Sequence, residues 1–191
     1  DYENLKLTFA LIANKYATLK TEYNEETGKY EYVFDENGKY VYTVNEETVA
    51  YWRELIKKYA DKVEYSNHSF THGFAGYNDE GGNVSYVDTS GNVRTVTLPV
   101  GSATAELYAA VQVFRDLFGV DVETLVMPGV AANRTDVVID GVTYPGWFAY
   151  YLEIVEQMYA DGILVGMRGD GFGEANMGKS FLVTPETFTG I

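Results

Sequence analysis

The chain predicts an α/β domain on three observations: three amphipathic helical segments, short apolar strand segments alternating with them, and polar, glycine- and tyrosine-rich excursions between the two. At 191 residues it has the length of one domain with a sizeable core. We read it as a single unit over 1–191 with hairpin insertions over 22–44 and 77–98.

Leu5 to Ala13 is the apolar, Thr- and Phe-containing run of a buried strand. Lys29–Phe34 and Lys39–Val44 then alternate on either side of Asp35-Glu36-Asn37-Gly38, a hairpin signal because Asn-Gly accepts the positive φ values of the turn. Asn45 caps a helix over Glu46–Tyr59 whose Val49, Trp52, Leu55 and Ile56 form one apolar face. A short strand, Asp61 to Ser66, follows. The excursion Tyr77–Leu98 carries a second hairpin across Thr89-Ser90-Gly91-Asn92. Ser102 begins a helix to Phe118, striped by Leu107, Ala110, Val111, Phe114 and Leu117 and ended by Gly119. Val122–Met127 reads as a strand. A loop through Asn133 and Arg134 and a turn at Asp140-Gly141 precede the helix Trp147–Ala160, and Ile163–Val165 reads as a last short strand.

The chemistry concentrates in Glu64-Tyr65-Ser66-Asn67-His68-Ser69-Phe70-Thr71-His72, which holds both histidines of the chain. On one helical turn the spacing of His68 and His72 sets both imidazoles on the same face, where two neutral ring nitrogens converge on one cation. On a plain surface turn they would hold nothing. The pair falls where a strand ends, the edge at which α/β folds place their ligands. With zero cysteines, a metal here must take nitrogen and oxygen ligands.

At these residues the chain resembles the polysaccharide deacetylases with a NodB-homology domain. Their second motif is His-Ser/Thr-x-x-His preceded by Glu, a small apolar pair and Asn, and Glu64, Asn67, His68, Ser69, Thr71 and His72 fall in those places. Leu5–Ile12 resembles the family's second strand, and Leu125-Val126-Met127-Pro128-Gly129 its Arg-x-Pro-x-Gly region. The resemblance implies that the chain is part of a distorted (β/α) barrel. It implies a divalent metal, commonly zinc, on His68 and His72, and hydrolysis of an acetyl amide or ester on a carbohydrate. Asn67, Ser69 and Thr71 would brace the loop, Pro128 and Gly129 would shape the acetyl pocket, and Arg134 would stand in for the arginine replaced by Val126. In such hydrolysis the cation lowers the pKa of bound water and polarises the acetyl carbonyl.

Other features of the family pattern are missing. Its first motif, a pair of aspartates, should lie a helix upstream of Leu5–Ile12, and Asp1 is too close to serve. No third histidine exists to act as general acid, so the catalytic residues are unassigned. Two accounts fit: a piece of a longer barrel, favoured by the start without Met or signal peptide, or a degenerate relative that binds glycans or surfaces without catalysis. A partial barrel would expose strand edges and favour self-association.

A formal charge of −14 argues against nucleic acid and anionic membrane surfaces, and no apolar run reaches the length of a membrane span. A neutral or cationic partner suits it better, and the resemblance implies an acetylated glycan. Loops rich in Tyr, Asn, Gly and Thr have the composition of bacterial secreted or cell-surface domains. Tyr77, Tyr86, Tyr144 and Trp147 lie in or beside loops where rings either stack on sugar C–H faces or simply fill hairpins and core.

Gly173–Ser180 fits the P-loop pattern Gly-x-x-x-x-Gly-Lys-Ser, yet the preceding strand ends early, Glu174 puts a negative charge in the loop and Pro185 follows closely. A glycine-rich loop is the better reading. Asp136, Asp140 and Asp170 are carboxylates placed for a third metal ligand, and equally ordinary loop acids. Arg168-Gly169-Asp170 spells an adhesion tripeptide too short to carry information.

Overall fold

In a computed structural model, which describes residues 7–73, 78–129, 132–170 and 180–183, strand β1 (Leu7–Leu11) is the first described element and is followed by a 3-10 turn, Ala13–Lys15. Four short strands follow: β2 (Ala17–Leu19), β3 (Thr21–Asn24), β4 (Lys29–Tyr32) and β5 (Tyr42–Val44). Helix α1 (Glu46–Lys58) starts under Asn45, whose side chain accepts from the Thr48 amide at 3.3 Å. Strand β6 (Val63–Asn67) leads to the hairpin β7 (Gly82–Val87) and β8 (Val93–Leu98). Helix α2 (Ser102–Phe118) is capped from upstream, since Asp79 accepts from both the amide and the hydroxyl of Thr104, at 2.9 and 2.6 Å. Then come β9 (Thr124–Val126), the hairpin β10 (Val137–Ile139) and β11 (Val142–Tyr144), α3 (Phe148–Ala160), β12 (Gly166–Asp170) and β13 (Ser180–Val183).

The main sheet has the order β1-β6-β9-β12-β13, parallel through its first four strands and antiparallel at the last pair. Parallel neighbours require crossovers, and α1, α2 and α3 supply them in turn. Alternation sorts the side chains. On one face Leu11 and Leu125 are buried and Phe9 meets Trp52 of α1 edge-on, with ring centroids 6.4 Å apart. On the other lie small and polar residues, and the Ser66 and Thr124 hydroxyls hydrogen-bond across neighbouring strands. Helix α2 is the centre of the core. Besides its predicted stripe it buries Ala103, Ala105, Ala109 and Val113, because α1 and α3 pack on its flanks. The outer helix α1 fully buries only Val49 of its predicted face.

Several expectations need correction. The first strand is not buried along its length: β1 is the sheet edge, and Phe9 is 43% exposed. The turn Asp35–Gly38 forms, with the Asp35 amide on Lys39 O at 2.9 Å, but its two arms separate after the contact of Val41 N–H with Val33 O. β4 turns to β3 and β5 to β2, so the 22–44 excursion is a three-armed junction rather than one hairpin. The second insertion is the hairpin expected, turning at Asp88–Asn92. The last parallel strand begins at Gly166, after Ile163–Val165. The loop at Asp140-Gly141 is itself the turn of a hairpin, with φ of 50° and 78°. Leu5, Lys6 and Tyr77, and Gly173–Lys179 of the P-loop pattern, lie outside the described residues, and Ser180 opens β13. No closed barrel forms among the described residues. No described helix is long and apolar enough to cross a membrane.

Candidate functional site

β6 delivers the chain to the carboxyl edge of the parallel sheet at Asn67, and the next residues leave it through two left-handed positions, Ser69 at φ 65° and His72 at φ 63°. Non-glycine residues hold such angles only when their surroundings enforce them. Here side chains do so. The buried Asn67 accepts from the Ser69 amide at 2.8 Å and donates to Leu107 O of α2 at 3.1 Å. Ser69 Oγ accepts from the His72 amide at 2.9 Å. Thr71 donates its amide to Glu106 Oε2 at 2.9 Å and its hydroxyl to Glu106 Oε1 at 2.6 Å. Asn67, Ser69 and Thr71 therefore each hold a different part of the loop.

The same loop is joined to the segment after β1. His68 N–H donates to Leu11 O at 2.9 Å, and the Ala13 and Asn14 amides donate to Ser69 O and Phe70 O at 3.3 and 2.8 Å. Phe70 is buried beneath them.

The two imidazoles meet, with centroids 4.7 Å apart and planes at 69°. The route differs from the helical turn expected, because the positive φ angles break any helix at these residues. His68 is half-buried and His72 exposed. His68 Nδ1 lies 2.8 Å from Val126 O, and a carbonyl only accepts. Nδ1 therefore carries the proton in the neutral ring, and Nε2 carries the lone pair. Val126, standing where the family pattern has arginine, contributes through its backbone.

The other predicted residues divide. Pro128, buried, and Gly129, exposed, follow β9 at the same sheet edge. Arg134 has its guanidinium 3.6 Å above the centre of the Phe148 ring and its carbonyl on the Phe148 amide, at the start of α3. Among the described residues no third His, Asp or Glu gathers with the histidine pair. Asp136 instead accepts from the Gly146 amide at 2.9 Å, and Asp140 turns its hairpin. Trp147 is a core residue, 7% exposed, with Nε1 on Ala132 O at 3.3 Å, and Tyr86 packs against the core.

Glu106 is the residue that sequence reading missed. It is 3% exposed, and its only signal was a carboxylate between Ala105 and Leu107 in the apolar part of α2. A cleft of about 400 Å³ opens beside it, lined by Phe70, Thr71 and Glu106 together with Leu19 of β2, Thr21 of β3 and Tyr32 of β4.

Compared with protein-family models, curated proteins and solved structures, the chain matches none.

Proposed function

We propose that the chain carries the histidine part of a metal-dependent hydrolase site that removes acetyl groups from an N- or O-acetylated carbohydrate, in the manner of polysaccharide deacetylases with a NodB-homology domain. The observation that carries this reading is the His68–His72 pair at the carboxyl edge of the parallel sheet, with His68 Nδ1 given to Val126 O. A histidine that ligates a metal commonly uses its second nitrogen in this way, which fixes the tautomer and aims the ring.

The donor set suits zinc as two imidazole nitrogens, with the remaining positions left to groups outside the described residues, to water or to substrate. When bound, such an ion supplies Lewis acidity toward an acetyl carbonyl and an activated water at neutral pH. The chain's own part is positional. The Asn67–Ser69–Thr71–Glu106 network keeps the rings together, and Pro128 with Gly129 borders the same edge. Parallel strands in chain order, with α2 against β6 and a small, polar face opposite, support the wider reading as a sector of a distorted (β/α) barrel. A secreted or cell-surface setting suits this substrate.

The test is zinc uptake by the whole chain, by equilibrium dialysis, together with acetate release from an acetylated glycan oligomer. His68→Ala with His72→Ala should abolish uptake; metal content unchanged in that double variant would defeat the reading. A second reading, a non-catalytic glycan-binding module, is favoured by the lack of a third ligand among the described residues. Glycan affinity that survives chelation, with no acetate released, would select it.

A further inference from the structure

The register of the β3–β4 hairpin separates its residues into two faces. Tyr23 lies opposite Tyr30 and Thr21 opposite Tyr32, while Glu22 lies opposite Glu31 and Asn24 opposite Lys29. One face is therefore aromatic and the other polar. Tyr23 and Tyr30 are 56% and 46% exposed and meet edge-to-face, with ring centroids 5.3 Å apart and planes at 65°, so each presents ring surface that the core does not consume. Thr21 and Tyr32, further along the same face, line the cleft together with Thr71 and Glu106. The aromatic face and the cleft are thus one continuous surface. It is held firmly to the body, since Tyr30 O accepts from the Val100 amide at 2.8 Å and Lys29 Nζ donates to Glu80 O at 2.8 Å.

We infer that this face is a glycan-binding ledge, running from Tyr23 and Tyr30 through Tyr32 into the cleft beside the histidine loop, and that its occupant is a polysaccharide bearing free amino groups. Half-exposed tyrosines offer flat apolar surface to the C–H faces of pyranose rings and a hydroxyl to their rims. A surface already tied down loses little conformational freedom on binding. Charge selects the polymer. The excursion carries Glu22, Glu25, Glu26, Glu31, Asp35 and Glu36 against Lys29 and Lys39, in a chain of formal charge −14. Such a field repels uronic acids and attracts ammonium groups. The inference rests on the carbohydrate part of the proposed function and needs no metal.

The experiment is calorimetric titration of the whole chain with soluble glucosamine hexamer, with polygalacturonate as the anionic control. The hexamer should bind, more weakly at about 0.5 M salt, and polygalacturonate should not. Tyr23→Ala with Tyr30→Ala should lower hexamer affinity by about tenfold or more. Tyr23→Phe with Tyr30→Phe, which keeps the rings, should retain most of it. Added chelator should leave binding unchanged, so a failed hydrolase reading does not touch this result. Absence of hexamer binding, equal binding of polygalacturonate, or full affinity in the double alanine variant with a native melting curve would overturn the inference.

Discussion

Thr71 donates both of its hydrogens to one carboxylate: its amide to Glu106 Oε2 at 2.9 Å and its hydroxyl to Glu106 Oε1 at 2.6 Å. This joins the histidine loop to the central helix at a site where Glu106 is 3% exposed. Each of its two oxygens accepts from one of the two donors.

Glu106→Ala should therefore cost about 2–4 kcal/mol in urea unfolding, since it removes both acceptors that hold Thr71 and leaves a void at a buried helix position. Glu106→Gln, which keeps one acceptor, should cost less. Thr71→Val combined with Glu106→Ala should lose clearly less than the two single losses added together. Strict additivity would show that the pair does not act as a unit.

At Asn67 the side-chain amide donates to Leu107 O at 3.1 Å while its oxygen accepts from Ser69 N–H at 2.8 Å. Asn67→Asp keeps the acceptor but turns a carboxylate oxygen toward a carbonyl in a fully buried position. The expected loss is about 2–4 kcal/mol, exceeding that of Asn67→Ala. A chemical denaturation series on the two variants reads the order, and the reverse order would contradict this assignment of the amide.

Asp88 ties the stability of the second hairpin to pH. The Asn92 amide and the Arg94 guanidinium, with lesser contributions from the Asn92 side chain and the Ser90 amide, hold its carboxyl at about 2 against an ordinary value of 3.8. Because the folded value is depressed, the contribution to stability is complete above about pH 4 and fades as the pH falls toward about 2. Amide chemical shifts of Ser90, Gly91 and Asn92 should titrate in that range and stop doing so in Asp88→Asn. A transition centred near the ordinary value would show that the turn contacts do not persist in solution.

Local features were legible wherever the signal was local. Asn45 capped α1 and Gly119 ended α2, at φ 65°, because capping depends on residues within one helical turn. The turn at Asp35–Gly38 was legible for the same reason, but which strands its arms would join was not, since Lys29–Tyr32 and Tyr42–Val44 each find a partner outside the alternating pattern. Burial of the first strand was misjudged because an apolar run reads alike at an edge and at a centre. At the candidate site the histidine pair stood out by spacing, whereas Glu106, thirty-five positions beyond Thr71, carried no local mark of its partner.

By itself the sequence determined the α/β alternation, the three helices, the Asn45 cap of α1 and the Gly119 end of α2, the hairpin turns and the nearness of the two histidines along the chain, all consequences of neighbours a few residues apart. Only the tertiary structure decided that Val126 O would accept from His68 Nδ1, that Glu106 would hold Thr71, and that Tyr32 of the first insertion would line a cleft beside the histidine loop. Such contacts join residues far apart in the chain. They exist only once parallel strands and their crossovers have brought those residues to one edge of the sheet.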